Sequence, residues 1–282
     1  MAIHPRTVLI TGASTGIGAA CALYLDARGF RVLAGVRNLA DGDALRVRSS
    51  SRLTPVQLDV TDRDSLLAGE KKIRELVGET GLGGLVNNAG IAVGGPLEVL
   101  PLDDLRRQFE VNVVGMLAVT QALLPLLRQA RGRIVNIGSI AGRTAVPFVG
   151  AYSMSKSAVA AMTTALRLEL DTWGIDVSLV EPGAIATPIW QKSTAAADAF
   201  AGDPLYSKHI ANIRRAVGEA ERHAISADAV ARAVEHALTA RRPKTRYLVG
   251  VDARIRAGVA ALLPQRMQDA LQRWYFKLPG RR

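Results

Sequence analysis

Tyr152 and Lys156 lie four residues apart, thirteen residues after Ser139, which closes the apolar run Ile134-Val135-Asn136-Ile137-Gly138. On a helix the tyrosine and lysine share a face. A free phenol, with a pKa near ~10, is a poor base at neutral pH. An ammonium beside it is expected to stabilise the phenolate and lower that pKa. Such a phenol can protonate the alkoxide formed when a carbonyl is reduced, or take a proton from an alcohol being oxidised. Ser139, at a strand end, can hydrogen-bond the substrate oxygen as its charge develops. Tyr152 is therefore the candidate general acid/base, Lys156 its tuner and Ser139 the oxyanion donor. This chemistry calls for no metal, because hydride transfer belongs to a cofactor. The four histidines, His4, His209, His223 and His236, lack metal-ligand spacing and are expected at the surface.

A second pattern supplies the place for that cofactor. Thr11-Gly12-Ala13-Ser14-Thr15-Gly16-Ile17-Gly18 follows a strand-like run and leads into a helical one. One glycine permits a tight turn, one lets backbone approach a pyrophosphate, and one lets the helix sit close on the sheet. The pyrophosphate meets free N–H groups at the helix N-terminus, where the dipole favours an anion. NAD sites place a carboxylate at the end of the next strand to bond the ribose 2′-hydroxyl. Here that strand ends Val36-Arg37-Asn38. A guanidinium suits a 2′-phosphate, so Arg37 points to NADP, with NAD the alternative.

The elements that must position these residues alternate short β-branched runs with longer helical periods, as in a doubly wound parallel α/β sheet with helices on both faces. Strands are expected at 7–11, 31–36, 53–57, 84–87, 133–138, 176–180 and 246–249. Helices are expected at 16–28, 63–79, 102–129, 151–173 and 226–239. The polar, Ala-rich segment 188–225 follows the carboxyl end of the sixth strand and is the expected substrate lid. One domain, 1–253, would carry the site, followed by an extension, 254–282. There Ile255, Val259, Leu262 and Leu263 are spaced as one apolar helix face.

The bulk properties agree. At 282 residues, 49% hydrophobic and 22% charged, the chain has the make-up of a packed domain. The net charge of +11 is uneven: residues 240–282 hold eleven Lys/Arg against Asp252 and Asp269, leaving +2 for the preceding 239. Charge confined to a terminal segment does not make a nucleic-acid groove. In that segment Leu262, Leu263, Leu271, Trp274, Tyr275 and Phe276 interleave with arginines, which leaves a membrane-surface helix as the alternative to a tail packed on the domain. The single cysteine, Cys21, excludes an intrachain disulfide and reads as a small buried residue. The first residues run straight into a strand pattern, so no signal peptide is expected and the cytoplasm is the expected location.

Together, the glycine pattern, Asn87-Asn88-Ala89-Gly90, Asn112, Ser139, Tyr152-Ser153-Met154-Ser155-Lys156 and Pro182-Gly183 resemble the short-chain dehydrogenase/reductase superfamily in order and spacing. The likeness covers roughly residues 5–255. Stretches 82–90, 129–138 and 235–252 look like its retinol dehydrogenase and 17β-hydroxysteroid dehydrogenase branch. The resemblance implies a Rossmann-type fold and an oxidoreductase acting on primary or secondary alcohols and their aldehydes or ketones. It implies that Lys156 also holds the nicotinamide ribose and that Asn112 supports a water relay ending at Lys156. It places Asp59 and Val60 at the adenine, and Asn88, Ala89 and Gly90 beside the cofactor. Pro182, Gly183, Ile185 and Thr187 then meet the carboxamide and phosphates. Paired long helices imply a homodimer or homotetramer. Specificity is expected from Val93, Pro96, Leu97, Val146, Pro147, Phe148, Ile189, Trp190 and Phe200, an apolar set suited to a steroid, retinoid or long aliphatic chain. A non-catalytic NADP(H)-binding regulator is the competing reading.

Overall fold

Runs such as Thr7-Val8-Leu9-Ile10-Thr11 are buried at every residue, the mark of strands covered on both faces. In the computed structural model, which describes residues 7–189, 199–200 and 202–278, seven strands form one parallel sheet, four of them buried at every residue. The strands are β1 (Thr7–Thr11), β2 (Arg31–Val36), β3 (Leu53–Gln57), β4 (Gly84–Asn87), β5 (Arg133–Ile137), β6 (Val177–Pro182) and β7 (Arg246–Val249), in the order β3-β2-β1-β4-β5-β6-β7. The order reverses between β1 and β4, so a crevice opens there at the carboxyl ends of the strands. All seven expected strands are present. β6 runs two residues past the expected end because its ladder with β7 continues to Pro182, after which Gly183 N–H donates to Val249 O at 2.9 Å.

Helices cover both faces. On one, α1 (Gly16–Ala27) brings Cys21, Ala22 and Leu25 against the sheet. Burial pushes the Cys21 thiol up to about 12, so it behaves as a small apolar side chain. A short helix, α2 (Leu39–Arg46), lies outside the expected elements. A Cβ at Gly42 would lie 2.5 Å from Pro55 Cβ, so the glycine serves close packing on β3. On the other face, α3 (Arg63–Val77) contributes Ile73 and Val77.

The expected helix at 102–129 forms as one run, Leu102–Ala130, with a change of pitch inside it. It divides into α4 (Leu102–Phe109), a π-helical turn (Glu110–Val114) and α5 (Gly115–Ala130). By length and composition Leu102–Ala130 could cross a membrane. Here Val119, Leu123, Leu126 and Leu127 instead pack on the sheet, and Gln108, Asn112 and Thr120 are buried within the fold. α6 (Gly150–Leu170) completes this face with Leu166 and Leu170.

The later chain departs most from expectation. Part of the 188–225 segment forms α7 (Ser207–Arg222), and α8 (Asp228–Thr239) then returns to the α1 face. The extension folds into α9 (Val251–Leu262) and α10 (Gln265–Phe276). The apolar stripe read from the sequence is not the face α9 buries: Ala253 and Ala257 pack on Ile140, while Ile255 is 61% and Leu262 82% exposed. Small residues let the helix approach the turn at 140–142 closely, which bulky side chains would prevent. Ala253→Leu is expected to lower stability by about 1–3 kcal/mol through overpacking. Ile255→Ser should change it by less than about 0.5 kcal/mol. Urea unfolding checks the ranking, and the reverse order would turn the helix over.

Candidate active site

At the end of β1, Gly12 (φ +62°) and Gly16 (φ +58°) take left-handed backbone that favours glycine. A Cβ on Gly12 would sit 2.8 Å from Ala89 Cα, and one on Gly18 2.2 Å from Gly12 O. Thr11 Oγ1 accepts the N–H groups of Asn88 and Ala89, each at 3.0 Å. Asn88 Nδ2 donates back to Thr11 O (2.9 Å) and Gly12 O (3.0 Å). These bonds lock the glycine turn to the end of β4. Thr15 caps α1 without a side-chain bond, so first-turn N–H groups stay available beside Ser14, Thr15, Gly16 and Ile17 on the crevice wall. A pyrophosphate fits that wall.

The crevice is a cavity of about 1200 Å³, larger than the ~300–1,000 Å³ usual for one drug-sized ligand. A dinucleotide and a second molecule can share it. Asn88, Ala89 and Gly90 line it, as do Pro182, Gly183, Ile185 and Thr187. Arg37, Asp59 and Val60 line it beyond β2 and β3. Arg37 is exposed and makes no ion pair among the described residues. Asp59 also braces its own loop, where its Oδ1 accepts from Thr61 N–H (2.9 Å) and Thr61 Oγ1–H (2.8 Å).

Ser139, Tyr152 and Lys156 face the same cavity. Ser139 follows β5 and caps the short turn Ile140–Gly142, accepting Ala141 N–H at 3.1 Å. Tyr152 and Lys156 lie on one face of α6, with Lys156 Nζ 5.7 Å from the tyrosine ring centre. Nζ donates to Ile137 O at 2.8 Å and is otherwise cut off from water, which pulls the amine down to about 8. Burial pushes the Tyr152 phenol above its usual value, opposed only by a hydrogen bond with Ser139. The sequence-based expectation that Lys156 lowers the phenol pKa is therefore corrected. Burial is the leading influence on both groups and shifts each toward its neutral form.

Asn112 does not line the cavity. The π-turn widens the helix there. Its side chain accepts Ile91 N–H (2.8 Å) and donates to Ile91 O (3.0 Å) and Ser155 Oγ (3.1 Å). Gln108, four residues earlier, accepts Val93 N–H (2.7 Å) and donates to Ile91 O (2.8 Å). The pair holds the segment after β4 in place. Gln108 was not singled out from the sequence, although an amide one turn before Asn112 was a usable signal.

The substrate side differs from the expected set. Val93, Val146 and Ile189 line the cavity, but Pro96, Leu97, Pro147, Phe148 and Phe200 do not. Phe148, at φ +64°, turns onto Tyr206 and His209, each ring 5.9 Å away. Phe200 packs with Val93 and Leu100, and Leu97 is exposed. Trp190 lies outside the described residues. His223 reaches the cavity rim, and His236 is exposed and bonds Tyr247 Oη at 2.9 Å.

The rest of the wall comes from α7, α9 and α10. Ile213 and Val217 face Leu271, Tyr275 and Phe276 across the cavity. Arg215 donates to Tyr275 O (3.1 Å) and Asn212 to Lys277 O (3.3 Å), tying α7 to the end of α10. Asp252 accepts Ala184 N–H at 2.8 Å, and a Cβ at Gly183 would lie 2.1 Å from that carboxylate. Asp252 thereby fixes the loop after β6, a role the sequence did not reveal.

Comparison with known proteins agrees with this geometry. The short chain dehydrogenase family matches residues 6–198. The chain is 39% identical to retinol dehydrogenase 5 of Mus musculus, over 97% of this chain and 89% of that protein. It is 36% identical to an NADPH-dependent 3-dehydrocapnine reductase of Ornithobacterium rhinotracheale, over 94% and 95%. A short chain dehydrogenase of Burkholderia cenocepacia J2315, solved in complex with NADP, superposes with a TM-score of 0.74 at 27% identity, covering 96% of this chain and 99% of that one.

The lowered lysine pKa has a thermodynamic signature. Below about pH 8 Lys156 is charged both folded and unfolded, and the folded state bears the full desolvation penalty. Above the ordinary 10.5 both states are neutral and the penalty is gone. In between, the unfolded chain binds more protons, so stability rises with pH. Cofactor-free wild type should thus gain stability relative to Lys156→Met from about pH 8 to pH 10. Thermal melts across that range check it, and parallel curves would show that the amine titrates normally.

Proposed function

The chain belongs to the short-chain dehydrogenase family, in the branch that holds retinol dehydrogenases and a 17-beta-hydroxysteroid dehydrogenase, and we propose that it interconverts a lipophilic alcohol and its ketone or aldehyde with NADP(H). One observation carries this reading: Ser139, Tyr152 and Lys156 share a cavity with the Gly12–Gly18 turn, and Arg37 stands at its far end.

When bound, the nicotinamide cofactor supplies or accepts the hydride. In the reductive direction the Ser139 hydroxyl donates to the carbonyl oxygen and holds it as charge develops. The Tyr152 phenol gives its proton to that oxygen. Lys156 stabilises the phenolate left behind and, with Nζ beside the ring, is placed to hold ribose hydroxyls. Asn112 acts as a positioning residue through Ile91 and Ser155, the residue next to Lys156.

Arg37 takes the 2′-phosphate, the feature that separates NADP from NAD. The NADPH-dependent relative and the NADP complex of the Burkholderia protein support that choice. A lipophilic substrate follows from the cavity's mostly apolar wall and from relatives named for retinol and a hydroxysteroid.

Tyr152→Phe should lower kcat by about 10²- to 10⁴-fold while NADPH binding, followed by fluorescence, stays near wild type. Substantial residual turnover would remove Tyr152 from its role. Arg37→Asp should shift the NADPH-to-NADH ratio of kcat/KM by at least about tenfold, roughly 1.4 kcal/mol. An unchanged ratio would place the 2′-phosphate elsewhere.

A further inference from the structure

Arg256 projects from α9 into the same cavity, on the side of the Ile140–Gly142 turn. Its Nη2 donates to Thr144 Oγ1 (2.6 Å) and Thr144 O (3.2 Å). A guanidinium carries five N–H donors. Nε and Nη1 have no hydrogen-bond partner among the described residues and are not fully buried, and the residue lines the cavity. Burial pulls this guanidinium below its ordinary value, while Asp252 and Tyr275 pull it partly back.

The nearby carboxylates are already engaged. Glu181 is 1% exposed and takes both arms of Arg143 at 2.8 Å and Arg246 at 3.3 Å. Asp252 spends Oδ2 on Ala184 N–H and is wedged between Gly183 and Gly250. Glu219 pairs with Arg215 at 2.7 Å. Around Arg256, three guanidinium groups (Arg143, Arg246, Arg256) thus meet two carboxylates (Glu181, Asp252). One positive charge is left over in a wall that is mostly apolar, to which Ile140, Val146, Ile213 and Val259 contribute. Asp252 offsets part of the cost of taking Arg256 from water, and a bound anion would relieve the rest.

We infer that Arg256 is a binding site for an oxyanion at the polar end of the substrate, which is therefore an amphiphile: an apolar chain or ring system ending in a carboxylate-like group. Nε and Nη1 lie on different edges of the guanidinium, so each can offer a single charge-assisted N–H to an oxyanion. Thr144 holds Nη2 and so fixes the plane of the group. The site deepens the oxidoreductase reading, on which it rests only in taking this cavity as the substrate's.

Binding of decanoate and of decanol to full-length protein saturated with NADPH, by titration calorimetry, tests it. Wild type should bind decanoate at least tenfold more tightly, and Arg256→Met should erase that preference while Arg256→Lys keeps part of it. Should the Met variant not fold, Arg256→Gln keeps a donor for Thr144 without the charge and serves the same comparison. Equal binding of the two probes by wild type would overturn the site, as would a preference that survives the loss of charge. A tenfold weaker grip on NADPH in Arg256→Met would also overturn it, by placing Arg256 on the cofactor. Turnover is a separate readout: protein that prefers decanoate yet reduces no ketone would sink the enzyme reading alone.

Discussion

An amine taken out of water and given a single carbonyl partner is the interaction on which the site turns. Lys156 Nζ reaches Ile137 O at 2.8 Å and sits beside the Tyr152 ring, with its pKa drawn down to about 8. That carbonyl is the last of β5, so the sheet itself places the charge. The phenol on the same helix face is pushed the other way by the same burial. Burial thus brings the amine nearer the point where it changes state at neutral pH, while the phenol holds its proton until a developing alkoxide takes it.

Holding such a pair steady takes polar bonds that the core would otherwise avoid. Asn87 Nδ2 reaches Thr120 Oγ1 and Asn136 Oδ1 at 2.9 Å each, and Asn136 passes the link to Thr163 on α6. Asn88 ties β1 to β4, and Gln108 and Asn112 pin the strand's continuation. The buried amides therefore form a frame between the cofactor turn and α6. Each is satisfied locally, except that Asn87 Oδ1 has no partner among the described residues.

The sheet was legible because its strands are continuous apolar runs, and those need no tertiary information to recognise. Ser139, Tyr152 and Lys156 were legible because one helical turn and one strand end suffice to bring them together. What resisted reading depends on partners distant in the chain. The π-turn at Asn112 answers to Ile91 and Ser155, and Gly42 answers to Pro55. The buried face of α9 is set by the room beside Ile140, so bulk on the helix pointed to the wrong side. The phenol's pKa was misjudged because a charged neighbour shows in a sequence and desolvation does not.

The division of labour around the cavity separates what must stay from what can vary. Proton exchange and the glycine turn belong to the sheet and α6, whereas the far wall is lent by α7 and α10, joined through main-chain oxygens at Tyr275 and Lys277. Main-chain acceptors do not depend on which side chains α10 carries. The helix can exchange Leu271, Gln272 or Phe276 and keep its mooring, so the shape of the chamber can be recast one residue at a time without disturbing the reacting groups.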